Sequence, residues 1–281
     1  MNLFRQWDAV DSRHTLLDVP RYGSNPVVAI THVLHPGVVY LCNYNKGTQT
    51  TVPEKKLEGL LVLKVIYSGG VFEPYGKEVH KYLESKGMAP KYLLSFNVHS
   101  ASLPLEPVIE EHHLMEYLPP PSDDSPGWIS LLDLERRFPK VASDSKASIQ
   151  AALYKIIDVL GENNYVHGDM RPNNLLILVE VTPDGKSCII QSCPGSNPPH
   201  PYLKVIDFDW AGIAGAVEYP PHRNPDVEWP GESGMPILNT HDREMINIWM
   251  SNWPAGNVPV ADQRDRRDPR GDEAVYTRIR A

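Results

Sequence analysis

The chain has 281 residues, with 27 lysines and arginines against 35 aspartates and glutamates, so its formal net charge at neutral pH is −8. The length suits one large fold or two lobes that share a site, and the acidic balance without a long basic block argues against nucleic-acid binding. The 27 prolines are about twice the usual share, which predicts long irregular connections and argues against an all-helical bundle.

Cysteine usage and hydropathy indicate the compartment. Cys42, Cys188 and Cys193 are too few for a disulfide framework or a four-cysteine zinc site. No window approaches the roughly 20 apolar residues of a membrane span, and the first ten residues contain no long apolar run. We therefore expect a soluble intracellular protein, cytoplasmic or nuclear, that binds no membrane.

The first half of the chain predicts a β-rich unit. Two β-branched runs, 27–34 and 38–44, flank the turn formed by His35, Pro36 and Gly37, which is a hairpin signal. The polar stretch 45–58 is typical of a loop, and 60–67 predicts a third strand.

One amphipathic helix follows at 75–86, ended by Gly87. Two further strands are predicted at 92–98 and 114–118, and a run of three prolines stops the second one. We place a boundary between two lobes at this point. Helical spacing places Val79, Tyr82, Leu83 and the stem of Lys86 on one stripe, which we call the apolar stripe.

The second half predicts a short helix at 128–138 and a strong one at 144–160, with Ser143 or Asp144 as its N-cap and Gly161 just past its end. The apolar residues of the strong helix follow helical spacing and predict a buried face: Ile149, Ala152, Leu153, Ile156, Ile157 and Leu160.

Further along, buried strands are predicted at 175–181 and 203–208, with a hairpin or loop inserted between them. Thr240 is expected to cap a last helix that ends near residue 252. The final stretch, 258–281, alternates aspartate and arginine and is typical of a solvated or disordered tail.

The strongest chemical signal is the pattern His-x-Asp-x-x-x-x-Asn, formed by His167, Asp169 and Asn174 after the strong helix. The strand at 203–208 then delivers Asp207 in the sequence Ile-Asp-Phe-Asp. Two buried strands thus each bring an acid or an amide to what can be one metal site.

These segments give the chain a resemblance to the protein-kinase-like superfamily, in particular to the atypical kinases grouped from fungi, with His-Gly-Asp in the catalytic loop and Asp-Phe-Asp in the metal segment. The stretch Leu-Val-Leu-Lys-Val-Ile around Lys64 is similar to the strand that carries the phosphate-binding lysine. Glu78 in the next helix matches its ion-pair partner, and the stretch 115–118 resembles the hinge between lobes.

The resemblance implies an α+β fold with two lobes, a small antiparallel β lobe with one main helix and a shortened, mainly helical lobe. It divides the chain into an N-terminal extension at 1–26, a first lobe with the hinge at 27–118, a second lobe at 119–255 and a charged flexible tail at 256–281.

For the nucleotide, the resemblance implies that Lys64, held by Glu78, contacts the phosphates of ATP. The hinge backbone at Glu116, Tyr117 and Leu118 would hydrogen-bond the adenine. Gly37 is the one glycine of the turn that would cover the phosphates, where related proteins have several.

For the reaction, the resemblance implies that Asn174 and Asp207 bind Mg²⁺. Asp169 would orient the acceptor hydroxyl, and Arg171 would stabilise the transferring phosphoryl group.

Two further aspartates belong to the same comparison. Asp242, which opens the last helix, resembles a buried aspartate that braces the catalytic loop, and Asp209 is either a second metal-facing acid or a polar strand end.

The predicted function is an ATP- and Mg²⁺-dependent phosphotransferase that acts on a hydroxyl acceptor, foremost serine or threonine of a protein. Phosphorylation of a small molecule, as in aminoglycoside or choline kinases, is the alternative within this class, and the proline- and aromatic-rich segment 219–236 can wall such an acceptor site. A third reading is a pseudokinase that serves as a binding module, motivated by the single glycine and the shortened second lobe.

Overall fold

A computed structural model describes residues 27–35, 39–45, 60–68, 75–100, 108–193, 200–221 and 223–254. The described part is a mixed α+β structure with antiparallel sheets and four α-helices. The predicted extension at 1–26, the turn residue Gly37 and the predicted tail at 256–281 lie outside the described residues. No helix in the described ranges is long and apolar enough to cross a membrane.

The first half forms a five-stranded antiparallel sheet with the order β1-β2-β3-β5-β4. β3 occupies its centre, so both edges of this strand are paired, and its side chains Leu61, Leu63 and Val65 are buried. The strands are β1 Val27–His35, β2 Val39–Asn45, β3 Leu60–Ser68, β4 Tyr92–Ser100 and β5 Val108–Glu116.

The sequence locates four of these strands to within two residues, but the predicted bounds of the fifth, 114–118, are wrong. β5 begins at Val108 and ends at Glu116. It lies between β3 and β4, and this pairing on both edges holds its polar first half in the sheet.

In the described part of the connection between β3 and β4 lies one helix, α1 Lys77–Ser85, which buries Val79, His80 and Leu83. The predicted apolar stripe is therefore correct at Val79 and Leu83, whereas the predicted member Lys86 is exposed beyond the helix end. Gly87 follows in a left-handed conformation with φ of 75°, as the C-terminal signal predicts.

The predicted helix at 128–138 is wrong in its first part. Strand β6 Gly127–Ser130 pairs with a later strand, and the helix α2 Leu131–Arg137 begins only after it. Ser130 caps α2, because its hydroxyl accepts a 3.0 Å hydrogen bond from the backbone N–H of Asp133.

The long helix α3 Pro139–Gly161 begins five residues before the predicted start, so neither Ser143 nor Asp144 is its N-cap. Pro139 occupies the first turn, where its missing N–H costs nothing. All six residues predicted for its apolar face are buried, which places α3 in the core.

The remaining sheets surround the site. β8 pairs with β6, β9 and β10, which confirms a hairpin between β8 and β9, and β7 pairs with β11. Helix α4 follows Thr240, whose side chain makes no capping hydrogen bond. The elements are β7 Tyr165–Val166, β8 Leu175–Val181, β9 Cys188–Ile190, β10 Leu203–Val205, β11 Gly212–Ile213 and α4 His241–Ser251.

The two halves meet through the backbone as well as through one continuous apolar core. The N–H of Gly76 donates to the carbonyl of Phe208 at 2.8 Å, and the N–H of Val205 donates to the carbonyl of Met88 at 2.8 Å. A β-carbon at Gly76 would lie 2.4 Å from the carbonyl oxygen of Ala211, so only glycine permits this approach. The start of α1 is thereby fixed against the segment that carries Asp207.

Candidate functional site

The loop that joins β7 to β8 carries His167, Gly168 and Asp169. Asp242, in the first turn of α4, holds this loop. The carboxylate of Asp242 accepts hydrogen bonds from the backbone N–H groups of His167, at 2.7 Å, and Gly168, at 2.8 Å. Asp242 is 2% exposed, and this burial raises the pKa of its carboxyl. The predicted bracing contact is confirmed.

Gly168 has a φ of 80° within this loop, a conformation that side chains disfavour. A β-carbon there would also lie 2.8 Å from Cδ1 of Ile237 and 3.1 Å from Cβ of Trp210. The glycine of the His-Gly-Asp motif is therefore required by both backbone conformation and space.

Asp169 lies at the centre of a cluster with Arg171 and Asn174. Arg171 holds both of its carboxylate oxygens, through Nε and, at 2.6 Å, through Nη2. The side-chain amide of Asn174 donates to the same carboxylate at 2.9 Å and to the main-chain oxygen of Asp169 at 3.1 Å. The structure thus brings Asp169 and Asn174 of the sequence motif together with Arg171, which the resemblance selects, and Asp169 is 4% exposed.

Lys64 reaches the site from the centre of the five-stranded sheet. It is buried, and its ammonium forms an ion pair with Asp207 and another, at 2.5 Å, with Asp209. Burial opposes the charge on Lys64, but the two carboxylates outweigh it and raise the pKa of the ammonium.

Asp207 and Asp209 both contact the ammonium of Lys64, but their pKa values shift in opposite directions. Burial works to raise the pKa of both, but the ammonium of Lys64, which is hydrogen-bonded to Asp207, holds the pKa of that carboxyl below its usual value. The pKa of Asp209 is raised, because burial and the nearby charge of Asp207 outweigh the attraction of Lys64. The oxygen of Asp209 that contacts the ammonium is Oδ1, so two carboxylates face this one ammonium. The group therefore has an excess of negative charge.

Glu78, predicted to pair with Lys64, does not do so. Its side chain is 74% exposed and its carboxylate lies 3.9 Å from Nζ of Lys81. Val79 and His80, its neighbours on α1, face the core, so the helix turns Glu78 towards solvent. The prediction of this ion pair is wrong, and Asp207 and Asp209 take its place.

A stack of rings that the sequence analysis missed connects α1 to the site. The imidazole of His80 lies parallel to the ring of Phe208, with centroids 4.4 Å apart, and His167 contacts the same ring edge-on at 5.1 Å. Burial lowers the pKa of His80 to about 4, so this histidine is neutral near pH 7. Its Nδ1 lies 2.7 Å from the hydroxyl of Tyr75 and its Nε2 lies 2.8 Å from the carbonyl of Pro90. The sequence did contain a signal for this contact, because His80 lies between Val79 and Leu83, the two buried residues of the apolar stripe.

The predicted hinge lies where β5 ends. The N–H of Glu116 donates to the carbonyl of Lys91 at 2.9 Å, and its carboxylate lies 3.3 Å from Nζ of Lys204. Tyr117 and Leu118 continue in irregular, partly buried backbone. The adenine contact assigned to these three residues stays a prediction.

An aromatic wall stands beside Asp169, formed by Trp210, Tyr219 and Trp229. Its ring centroids lie 5.1 to 6.2 Å apart. Two arginines lie over it: Arg171 is 5.0 Å from the ring centre of Trp229, and Arg223 is 4.8 Å from that of Tyr219 and 5.3 Å from that of Trp229. Tyr219 and Trp229 come from the segment 219–236 that the sequence analysis selected for an acceptor site, whereas Trp210 lies before it.

The donor atoms suit a hard divalent cation that is shared with a phosphate. Asp207, Asp209 and Asn174 offer carboxylate and amide oxygens, which are the ligands that Mg²⁺ prefers. Within the described residues, no three His, Cys, Asp or Glu side chains group so that they alone could hold a metal ion. The residues therefore fit an ion whose remaining ligands are phosphate and water oxygens, as is usual for Mg²⁺ at nucleotide sites.

Comparison with known protein families finds no family model that matches this chain, and a search of curated proteins finds no relative. The assignment to the protein-kinase-like superfamily therefore stays a proposal that depends on the resemblance of the motifs and on the geometry of the site.

Proposed function

We propose that the protein is an ATP-dependent phosphotransferase of the protein-kinase-like superfamily, which transfers the γ-phosphoryl group to a hydroxyl, foremost that of a protein serine or threonine. The observation that carries the proposal is the meeting of Lys64 with Asp207 beside the loop that bears Asp169. These two charged residues lie 143 positions apart in the sequence and belong to different halves of the fold. Phosphoryl transfer needs such a set of positioned charges.

The architecture supports this proposal at the level of its parts. An antiparallel sheet with one helix between β3 and β4 precedes a unit that contains α2, α3 and α4. The irregular stretch after β5 joins the two. This is the arrangement that the resemblance implies for the two lobes.

On this proposal, Lys64 supplies positive charge to the phosphates from a buried position, where a charge interacts more strongly than in water. Asp207 and Asn174, with Asp209 nearby, would hold Mg²⁺, which when bound neutralises charge on the phosphate oxygens. The excess negative charge around Lys64 gives a divalent cation a favourable place to bind.

Asp169 would accept the proton of the acceptor hydroxyl and orient that hydroxyl towards the phosphorus. Arg171 and Asn174 hold the carboxylate of Asp169 in one orientation. The side chain of Arg171 is 22% exposed, so its guanidinium can also reach a phosphoryl oxygen at the mouth of the site.

The test is thermal unfolding of the wild type and of Asp207→Asn across an ATP series, with and without Mg²⁺. A ligand that binds only the native state stabilises it, by about 2.7 kcal/mol at one hundred times its Kd. We expect a magnesium-dependent rise of the midpoint that Asp207→Asn removes. Asp158→Asn is the matched control, because Asp158 lies on the exposed side of α3 and pairs with Arg243.

No rise in the wild type at millimolar ATP would refute the nucleotide site and favour the binding-module reading. A rise that Asp207→Asn and Asp158→Asn leave equally unchanged would refute the assignment of Asp207. Transfer of ³²P from labelled ATP to a serine- and threonine-containing peptide library then tests the acceptor class.

The aromatic wall favours one alternative within the same class. Aromatic rings that pack edge-on or tilted beside a carboxylate can also bind a compact small-molecule acceptor. Transfer to a pool of small hydroxyl compounds, with none to the peptide library, would favour that alternative.

A further inference from the structure

Arg223 has a guanidinium without a carboxylate partner. None of the ion pairs among the described residues includes it. Its Nη1 donates to the carbonyl of Gly231 at 2.7 Å, while its Nε is buried and makes no hydrogen bond. A buried donor without an acceptor is costly, so this position calls for an explanation.

The surroundings hold the side chain of Arg223 in place. Its guanidinium lies over the rings of both Tyr219 and Trp229. Stacking on aromatic rings orders a guanidinium. Since Nε is buried and Nη1 bonds Gly231, Nη2 and the second N–H of Nη1 are the donors left for an anion. Tyr219 itself is buried and packs face to face with His241, at a centroid distance of 5.7 Å, next to the brace Asp242. Arg223 is thus positioned by the same helix that braces the catalytic loop.

The position is adjacent to the proposed reaction. Arg223 and Arg171 both lie over the indole of Trp229, and Arg171 forms an ion pair with Asp169. Arg171 already compensates the charge of Asp169, and no carboxylate among the described residues forms an ion pair with Arg223. The acidic residues of its own segment, Asp226, Glu228 and Glu232, are exposed.

We propose that Arg223 binds an anionic group of the acceptor, so that the preferred acceptor is a peptide whose serine or threonine lies near a phosphorylated or acidic residue. The inference rests on the proposed function, because it names the substrate class of that same site. A guanidinium binds phosphate or carboxylate through two parallel hydrogen bonds. Arg223 and Trp229 are both partly exposed, so the wall is open to an extended chain.

The experiment measures peptide binding by fluorescence polarisation with the full-length chain and no nucleotide. The probes are labelled peptides with one serine in an alanine background, in which a single phosphoserine is moved through the four positions on either side. We expect one or more positions to bind at least tenfold more tightly than the peptide without phosphoserine. Arg223→Gln should abolish this preference, and Arg223→Lys should restore only part of it.

Arg243→Gln is the matched control. Arg243 also lies over an aromatic ring, that of Tyr154 at 4.5 Å, but its partner is Asp158 on α3. Its replacement removes the same charge and should leave the preference for phosphoserine unchanged. Circular dichroism and the unfolding midpoint establish that each variant is folded.

Three results would overturn the inference: no position that favours phosphoserine, a preference that persists in Arg223→Gln, or equal loss in Arg243→Gln. Displacement of the peptide by inorganic phosphate at an equal concentration would also overturn it, since the site would then bind free anions. Because the assay contains no ATP, Arg223-dependent binding without any phosphoryl transfer would refute the proposed function alone. Phosphoryl transfer that ignores acidic residues would refute this inference alone.

Discussion

Replacing Asp242 tests how the loop that carries Asp169 is held. In the wild type, each carboxylate oxygen of Asp242 accepts one backbone N–H, from His167 and from Gly168. Asparagine keeps one acceptor oxygen but places an NH₂ group against the second N–H. Alanine leaves both N–H groups without an acceptor.

The expected magnitudes follow from this count. Each buried donor left unsatisfied costs about 1–3 kcal/mol, so Asp242→Ala should lower the free energy of unfolding by about 2–6 kcal/mol. Asp242→Asn should cost about 1–3 kcal/mol, towards the lower end because it also removes a buried charge. In a protein of about this size each kcal/mol corresponds to roughly 2–4 °C of the unfolding midpoint.

Urea unfolding followed by tryptophan fluorescence measures these differences. Asp158→Asn is the control, since the side chain of Asp158 is 69% exposed and its loss should change stability by no more than about 0.5 kcal/mol. The reasoning is refuted if Asp242→Ala is no more destabilising than Asp242→Asn, or if both match the control.

Three further outcomes are expected. Asp169→Asn should abolish phosphoryl transfer and leave the unfolding midpoint within a few degrees of the wild type; normal turnover would contradict the assignment. Lys64 holds the pKa of Asp207 low, so this carboxylate adds stability above its unfolded pKa that is lost on acidification, whereas the raised pKa of Asp209 has the opposite effect. In urea unfolding between about pH 3 and 6, the free energy of unfolding of Asp207→Asn should therefore fall furthest below that of the wild type at the upper end of the range. The free energy of unfolding of Asp209→Asn should instead rise relative to the wild type as the pH rises. Profiles of the two variants that run parallel to the wild type would disprove this. His80 adds stability that is complete above pH 6.5 and is lost as the pH falls towards about 4, so His80→Phe should reduce the acid sensitivity of folding by about 3 kcal/mol; an unchanged pH profile would count against a neutral buried imidazole.

The elements with a strong period were predictable from the sequence. The buried face of α3 follows from helical spacing over many residues, which neighbouring structure cannot easily override. The short strand β6 was not predictable, because four residues carry little periodicity and its partner β8 lies about 50 positions later. The true length of β5 was hidden for a similar reason, since its polar half is held by strands on both sides.

The candidate site likewise has a part that the sequence predicted and a part that it did not. The cluster of Asp169, Arg171 and Asn174 is local in sequence; the spacing of the motif selected Asp169 and Asn174, and the resemblance added Arg171. The partner of Lys64 depends on how α1 is rotated about its axis, and each residue turns the helix by about 100°. The sequence analysis chose Glu78, but the packing of α1 turns this residue to solvent and Lys64 pairs with Asp207 and Asp209 instead.

The bond between His167 and Asp242 spans 75 residues, and that between Lys64 and Asp207 spans 143. During synthesis the ribosome releases the chain from its N-terminus, so Lys64 and the loop that carries Asp169 emerge before the groups that hold them. A nascent chain that has not yet exposed α4 has every residue of the His-x-Asp-x-x-x-x-Asn motif but lacks the carboxylate that shapes it. The site can thus be completed only after α4 has emerged.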